Sequence, residues 1–153
     1  PPDILGFPSF DEYKRLEAAY LNSLSDRKQG KALIPQAMFE QIWDVLHDPE
    51  CLAGSAQFRF WVRKMFVLRF PQTTLHAPAS DAALTPVVLH DNRPVAIREQ
   101  LYEVLCYCHA LARHGGRDKT CAAIRAHYSW VPKELTAKFV KACPTCTLKR
   151  SGN

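Results

Sequence analysis

The sequence contains no run of eighteen apolar residues, so no segment has the length to cross a bilayer as a helix. It does not open with a basic stretch followed by an apolar one, the pattern of a secretory signal, and its first residue is Pro1 rather than an initiating Met. These features read as an excised fragment of a soluble protein with no membrane partner. Acidic side chains are nearly missing from the last third. From His109 to Asn153 only Asp118 and Glu134 oppose nine Lys and Arg, a net +7, while the preceding 108 residues carry eleven basic and thirteen acidic groups, a net −2. A basic lobe on a slightly acidic body suits contact with a phosphate backbone, although basic residues also serve solubility alone. Of six cysteines, Cys51, Cys106, Cys108 and Cys121 stand singly or within apolar helical patterns, which argues against a disulfide framework and for a reducing compartment. None sits in a setting that activates a thiol nucleophile.

What is present is ordinary globular composition, 47% apolar and 23% charged, enough for one medium domain or two small ones. Ser9-Phe-Asp-Glu12 forms a capping box that starts a helix, along which Phe10, Tyr13, Leu16, Tyr20 and Leu24 recur at three- and four-residue steps. The segment 25–30 breaks this pattern. Pro35 suits the first turn of a second helix, with Met38, Phe39, Ile42, Trp43 and Leu46 on one stripe and His47-Asp-Pro49 as its end. A third helix over 56–68 places Phe58, Trp61, Val62, Met65 and Phe66 on one face, with Arg59, Arg63 and Lys64 opposite. Interleaved Arg and aromatics can signal nucleic-acid stacking, but the helical period favours a core face with a solvated basic edge. Residues 10–68 therefore read as a three-helix unit in which the third helix covers the other two. The Pro-rich stretch 71–86 has no sustained apolar period and reads as a linker between a helical domain, 1–70, and a second unit, 87–150. In that second unit Val87-Val-Leu89 and Val95-Ala-Ile97 form a short hairpin around His90-Asp-Asn-Arg-Pro94, and Leu101, Val104, Leu105 and Cys108 mark a helix leading into His109.

His109 and His114 enclose four residues, twenty-eight more follow, and Cys143-Pro-Thr-Cys146 closes the pattern. Four such ligands fill a tetrahedral structural zinc site, and Cys-x2-Cys lets both thiolates reach one ion from a short turn. Positions five apart fall about 500° apart around a helix, so His109 is expected to close a helix and His114 to sit in the turn after it. Gly115-Gly116 permits the tight backbone there. Lys119-Thr120 then opens a helix bearing Cys121, Ile124 and Tyr128, and Pro132 starts another whose Leu135, Phe139 and Val140 pack inward and place Cys143 at its exit. Two readings compete with the four-ligand site. One is a pair of surface histidines beside a buried or redox-active Cys pair. The other is a cluster at Cys106-Tyr-Cys108-His109 in which Cys108 replaces His109. A module this small buries little apolar surface, so the binding energy of the ion becomes folding energy.

The run His114-Gly-Gly-Arg-Asp-Lys-Thr120, Ile124, Tyr128-Ser-Trp130-Val-Pro132, Phe139-Val140 and Cys143-Pro-Thr-Cys146 resembles the HHCC zinc-binding domain that opens the integrases of retroviruses and gypsy-type LTR retrotransposons. The similarity covers roughly 87–150. Val131 separates Trp130 from Pro132 where that family has Trp-Pro directly. The resemblance implies a small helical HHCC module with one structural Zn2+ on His109, His114, Cys143 and Cys146, which together with the three-helix unit and the short hairpin read above makes a mainly α fold. It also implies a nuclear protein, an integrase or a host protein derived from a retroelement, that binds DNA or assembles into oligomers. Arg117, Lys119, Arg125, Lys138, Lys141, Lys149 and Arg150 are the expected phosphate contacts. No small-molecule substrate and no catalysis are expected in this stretch, because four protein ligands leave zinc no open position and only seven residues follow Cys146 where strand transfer needs a separate carboxylate domain. The alternative reading is a protein-interaction scaffold of a transcription or chromatin regulator that does not touch DNA.

Overall fold

The structure, a computed structural model, describes residues 1–70 and 85–151, so most of the expected linker lies outside the described residues. Ser9 caps the first helix as the sequence requires, its Oγ accepting from Glu12 N at 3.1 Å, and α1 runs Phe10–Asn22. The break expected at 25–30 is instead a short helix, α2 (Asp26–Ala32), whose first turn closes on the Ser25 carbonyl through Lys28 N and Gln29 N. Helix α3 (Gln36–His47) follows Pro35, which has no side-chain group to cap it. Glu99 does so from far along the chain, its carboxylate accepting from Gln36 N at 2.9 and 3.1 Å.

Helix α4 (Ala56–Met65) stops short of Leu68 because Val67–Arg69 leaves as strand β1, whose backbone groups are taken up by β2 (Val87–His90) in antiparallel register: Val67 opposite Leu89, Leu68 opposite Val88, Arg69 opposite Val87. The hairpin to β3 (Arg93–Pro94) is tighter than the sequence suggests. Asp91 and Asn92 turn the chain at φ 52° and 64°, the left-handed pair a two-residue hairpin needs and that short polar side chains tolerate. Strand order is β1-β2-β3, and Val95 goes on to bridge Ser129 in parallel. After a single 3-10 turn (Arg98–Gln100) come α5 (Leu101–Leu111), α6 (Arg117–His127), α7 (Lys133–Ala142) and α8 (Pro144–Ser151). The described residues thus form a mainly helical chain, eight α-helices with a small antiparallel sheet ahead of the C-terminal helical module, the fold class the sequence implied.

Two buried clusters hold these elements. In one, Leu101 and Leu105 of α5, Ile124 of α6, and Leu135 and Phe139 of α7 meet Tyr13 and Tyr20 of α1. In the other, Ile42 and Val45 of α3 pack with Val62 of α4, Phe66 and Val88. Each such side chain contributes about 1.5–3 kcal/mol when fully buried. The helix at 56–65 therefore covers α3, while the stripe on α1 packs on α7. Glu17 of α1, 1% exposed, ties the same helix to the 3-10 turn: it accepts from Tyr13 Oη, Lys14 Nζ and Arg98 Nε, each at 2.8 Å. Burial alone pushes its carboxyl pKa up, but the three donors outweigh burial and hold it below the usual glutamate range. Trp130, just before α7, joins the second cluster. Its ring lies 5.2 Å from Phe66 and 5.8 Å from Trp61, and its Nε1 donates to the Lys31 carbonyl at 3.0 Å. These contacts hold it at φ 67°, a conformation unfavourable for a bulky residue.

Candidate metal centre

The turn after α5 brings the two histidines together. Arg113 N donates to the Ala110 carbonyl and His114 N to the His109 carbonyl, at 2.9 and 3.0 Å. This is the paired helix ending in which the residue after the cap turns left-handed, a place usually given to glycine. Here Arg113 occupies it at φ 54°, and His114 follows at 56°. The reversal swings the His114 ring back beside His109, with ring centroids 4.6 Å apart. Gly115 is required for a different reason. A Cβ there would lie 2.9 Å from Lys119 Cβ and 3.0 Å from the Ala112 carbonyl oxygen, so only glycine lets α6 start so close to the end of α5.

The cysteines arrive from the far end of the module. Cys143 ends α7, Pro144 begins α8 where its missing N–H costs nothing, and Thr147 N bonds to the Cys143 carbonyl at 2.9 Å. One turn of α8 then carries Cys146 back beside Cys143. One donor atom from each of His109, His114, Cys143 and Cys146 lies within 4.8 Å of the other three. His109 Nε2 is 3.2 Å from Cys146 Sγ, and His114 Nδ1 is 3.4 Å from Cys143 Sγ and 4.0 Å from Cys146 Sγ. A tetrahedron built with zinc–nitrogen and zinc–sulfur bonds of ordinary length has nitrogen–sulfur edges of about 3.5 Å. The four side chains fit one such ion. Cys108, the alternative to His109, is buried in the apolar core and is not among these donors.

Around the ligands the environment is set for coordination. Burial pushes His109 down to about 4, with the His114 and Lys149 charges adding to the effect, so the imidazole is neutral at pH 7 as a ligand must be. His114 moves the same way, by burial and Lys149. Burial pushes the Cys146 thiol up, so metal uptake must displace its proton. Thr120 orients His109. Its Oγ1 donates to the Gly115 carbonyl at 3.2 Å, which leaves it to accept from His109 Nδ1 at 2.9 Å and turns the Nε2 lone pair toward the cluster. Sequence reasoning placed Thr120 only as a helix opener. A polar residue one turn before Ile124 on a buried face was the available signal that it must satisfy a partner.

A second contribution had no signal in the sequence. The segment before α1 lies over the site: Phe7 stacks on His114 at 4.8 Å and 28°, and the Gly6 carbonyl accepts from Thr145 Oγ1 at 2.7 Å and from the Cys143 thiol at 3.4 Å. Tyr102 Oη donates to the Pro8 carbonyl at 2.7 Å, pinning the same segment to α5. A bound zinc supplies a cross-link among the end of α5, its turn and the exit of α7. With four protein ligands it keeps no open position for water or substrate.

The seven cations expected to meet phosphate all lie on the last three helices: Arg117, Lys119 and Arg125 on α6, Lys138 and Lys141 on α7, Lys149 and Arg150 on α8. All are exposed except Lys138, which is half-buried. Arg117 pairs with Asp118 at 3.1 Å, and Arg150 donates to the Lys141 carbonyl at 3.2 Å.

Residues 98–151 match the family model described as the integrase zinc binding domain, which bears out over that third of the chain the resemblance carried by its HHCC motif. Across 89% of its length the chain is 24% identical to nucleolar protein 4 of Homo sapiens and to nucleolar protein 4 of Mus musculus. It spans about a quarter of the human protein's length and about a third of the mouse protein's. No solved structure gives a significant match.

Proposed function

We propose that this chain is a noncatalytic, zinc-stabilised module of an integrase-like or retroelement-derived nuclear protein, and that it binds DNA through Arg117, Lys119, Arg125, Lys138, Lys141, Lys149 and Arg150. The observation that carries this reading is the concentration of cations on α6, α7 and α8, where Asp118 and Glu134 are the only carboxylates. Each phosphate neutralised by such a cation releases counterions, so affinity should fall steeply with salt. A nuclear setting is supported by the names of the two relatives. The closed ligand set supports a structural rather than a catalytic ion. The test is the salt dependence of binding to a nonspecific duplex. Neutralising Arg117, Lys119, Lys138 and Lys141 together should weaken binding and flatten its dependence on salt, and unchanged binding in that variant would refute the reading.

One set of residues favours assembly or protein contact as well. Leu52, Phe60, Val67 and Phe70 are large apolar side chains between 55% and 82% exposed, all in the helical unit outside the zinc module. A defined oligomer or partner complex on a sizing column, with no duplex shift at low salt, would favour the scaffold role over DNA contact.

A further inference from the structure

Helices α6 and α7 leave a cleft between them that none of the four metal ligands lines. Its outer part, about 440 Å³, and its inner part, about 180 Å³, share Cys121, Arg125 and Lys133 and so adjoin one another. The two parts differ in chemistry. The inner walls carry Tyr128, Trp130 and His90, with the His90 ring 4.8 Å from that of Trp130. Arg93 braces this end by donating to the Arg125 and Tyr128 carbonyls at 2.9 and 3.0 Å. The rim is cationic. Arg125 and Lys133 form no ion pair among the described residues, and Asp118, the nearest acid to Arg117, is already paired with it. Arg93 also lines the inner part but is paired with Asp91 at 3.6 Å, so Arg125 and Lys133 are the lining cations that form no ion pair among the described residues.

A ligand complementary to both parts has a flat ring for the aromatic end and negative charge for the rim. A nucleotide unit has both. Within a duplex the base is stacked and paired and would have to leave the helix to enter, whereas a single strand offers unstacked bases freely. We propose that this cleft takes one unstacked base of a single-stranded nucleic acid, with the flanking phosphates on Arg125 and Lys133. The inference rests on the nucleic-acid reading above and names the form of nucleic acid and the site.

The experiment uses the whole 153-residue chain loaded with zinc and two fluorescent probes, a ten-nucleotide oligothymidylate and a duplex of the same length. Ala137→Trp fills the outer cleft without removing a charge. Arg125→Glu with Lys133→Glu serves as a second variant should the first fail to fold. A third variant neutralises Lys141, Lys149 and Arg150, which do not line the cleft. The single strand should bind tighter than the duplex, and Ala137→Trp should weaken it about tenfold, the scale of one base stacked on aromatic side chains, while leaving the duplex within about twofold. The variant outside the cleft should weaken both probes. Equal single-strand affinity in wild type and Ala137→Trp, or an acidic peptide displacing the single strand as well as unlabelled oligonucleotide does, overturns the cleft proposal alone. Failure of both probes to bind at low salt overturns the nucleic-acid reading together with it.

Discussion

Thr120→Val isolates one hydrogen bond at the metal centre while keeping the shape of the side chain. Thr120 is wholly buried, and valine replaces its hydroxyl by a methyl group of similar volume, so the core formed by Ile124 and its neighbours should be undisturbed. The substitution removes the 2.9 Å contact to His109 Nδ1 and the 3.2 Å contact to the Gly115 carbonyl. A buried donor left without a partner costs about 1–3 kcal/mol. Part of that cost falls equally on the metal-free and metal-bound protein and does not appear in the affinity. The remainder comes from the ring, which is no longer held with Nε2 facing the cluster. Loss of an orienting partner of this kind lowers metal affinity about 10- to 100-fold, which corresponds to about 1.4–2.7 kcal/mol. Competition for zinc against a chromophoric chelator at neutral pH measures it directly. Thr120→Ser, which keeps the hydroxyl, should bind within about threefold of wild type. Wild-type zinc affinity in Thr120→Val, with the fold intact by circular dichroism, would refute the orienting role and with it the assignment of Nε2 as the liganding atom.

Removing zinc with a chelator should abolish cooperative unfolding of α5 to α8, because the cross-link between the α5 turn and the α7 exit is also what closes that small core; retained cooperativity on differential scanning calorimetry would count against it. Phe7→Ala strips the ring stacked on His114 and should speed zinc release to a chelator about three- to tenfold in stopped flow, the scale of one aromatic contact. Arg98→Met should destabilise the chain by about 1.5 kcal/mol, the low end for a bond to a charged group because the Arg98 side chain is 37% exposed and partly screened. The Glu17 carboxyl is held below its unfolded value, so this contribution is complete above about pH 4.5 and fades as pH falls through the lower folded value; denaturation curves of variant and wild type should therefore converge in acid. Arg113→Gly relieves a side chain held at φ 54° and should stabilise by about 1 kcal/mol, seen as a higher melting temperature at unchanged zinc content.

The parts of this molecule that could be read from its sequence are those in which the constraint is local. Cys143 and Cys146 sit one turn apart because Pro144 starts a helix between them, and Ser9 caps α1 through Glu12, three residues on. An apolar stripe is equally legible, but it says that a face is buried and not against what. Phe10, Tyr13 and Tyr20 mark the inner side of α1, yet nothing in their spacing distinguishes α4 from α7 as the partner; that pairing appears only in the folded cluster, where Glu17 also meets Arg98, eighty-one residues away. The same reasoning explains why β1 was hidden inside a helical pattern. Phe66 serves the second cluster in either conformation, and only a strand partner at 87–90 can complete the backbone hydrogen bonds of Val67–Arg69. Phe7 is the extreme case. A lone aromatic between Gly6 and Pro8 has no period, and its role exists only once α1 has docked and laid the preceding residues over His114. The candidate metal centre is therefore covered by residues outside the 98–151 family match, although all four ligands lie within it. Docking of α1 and the placement of His114 are coupled, since Phe7 stacks on that ring only once α1 is in place.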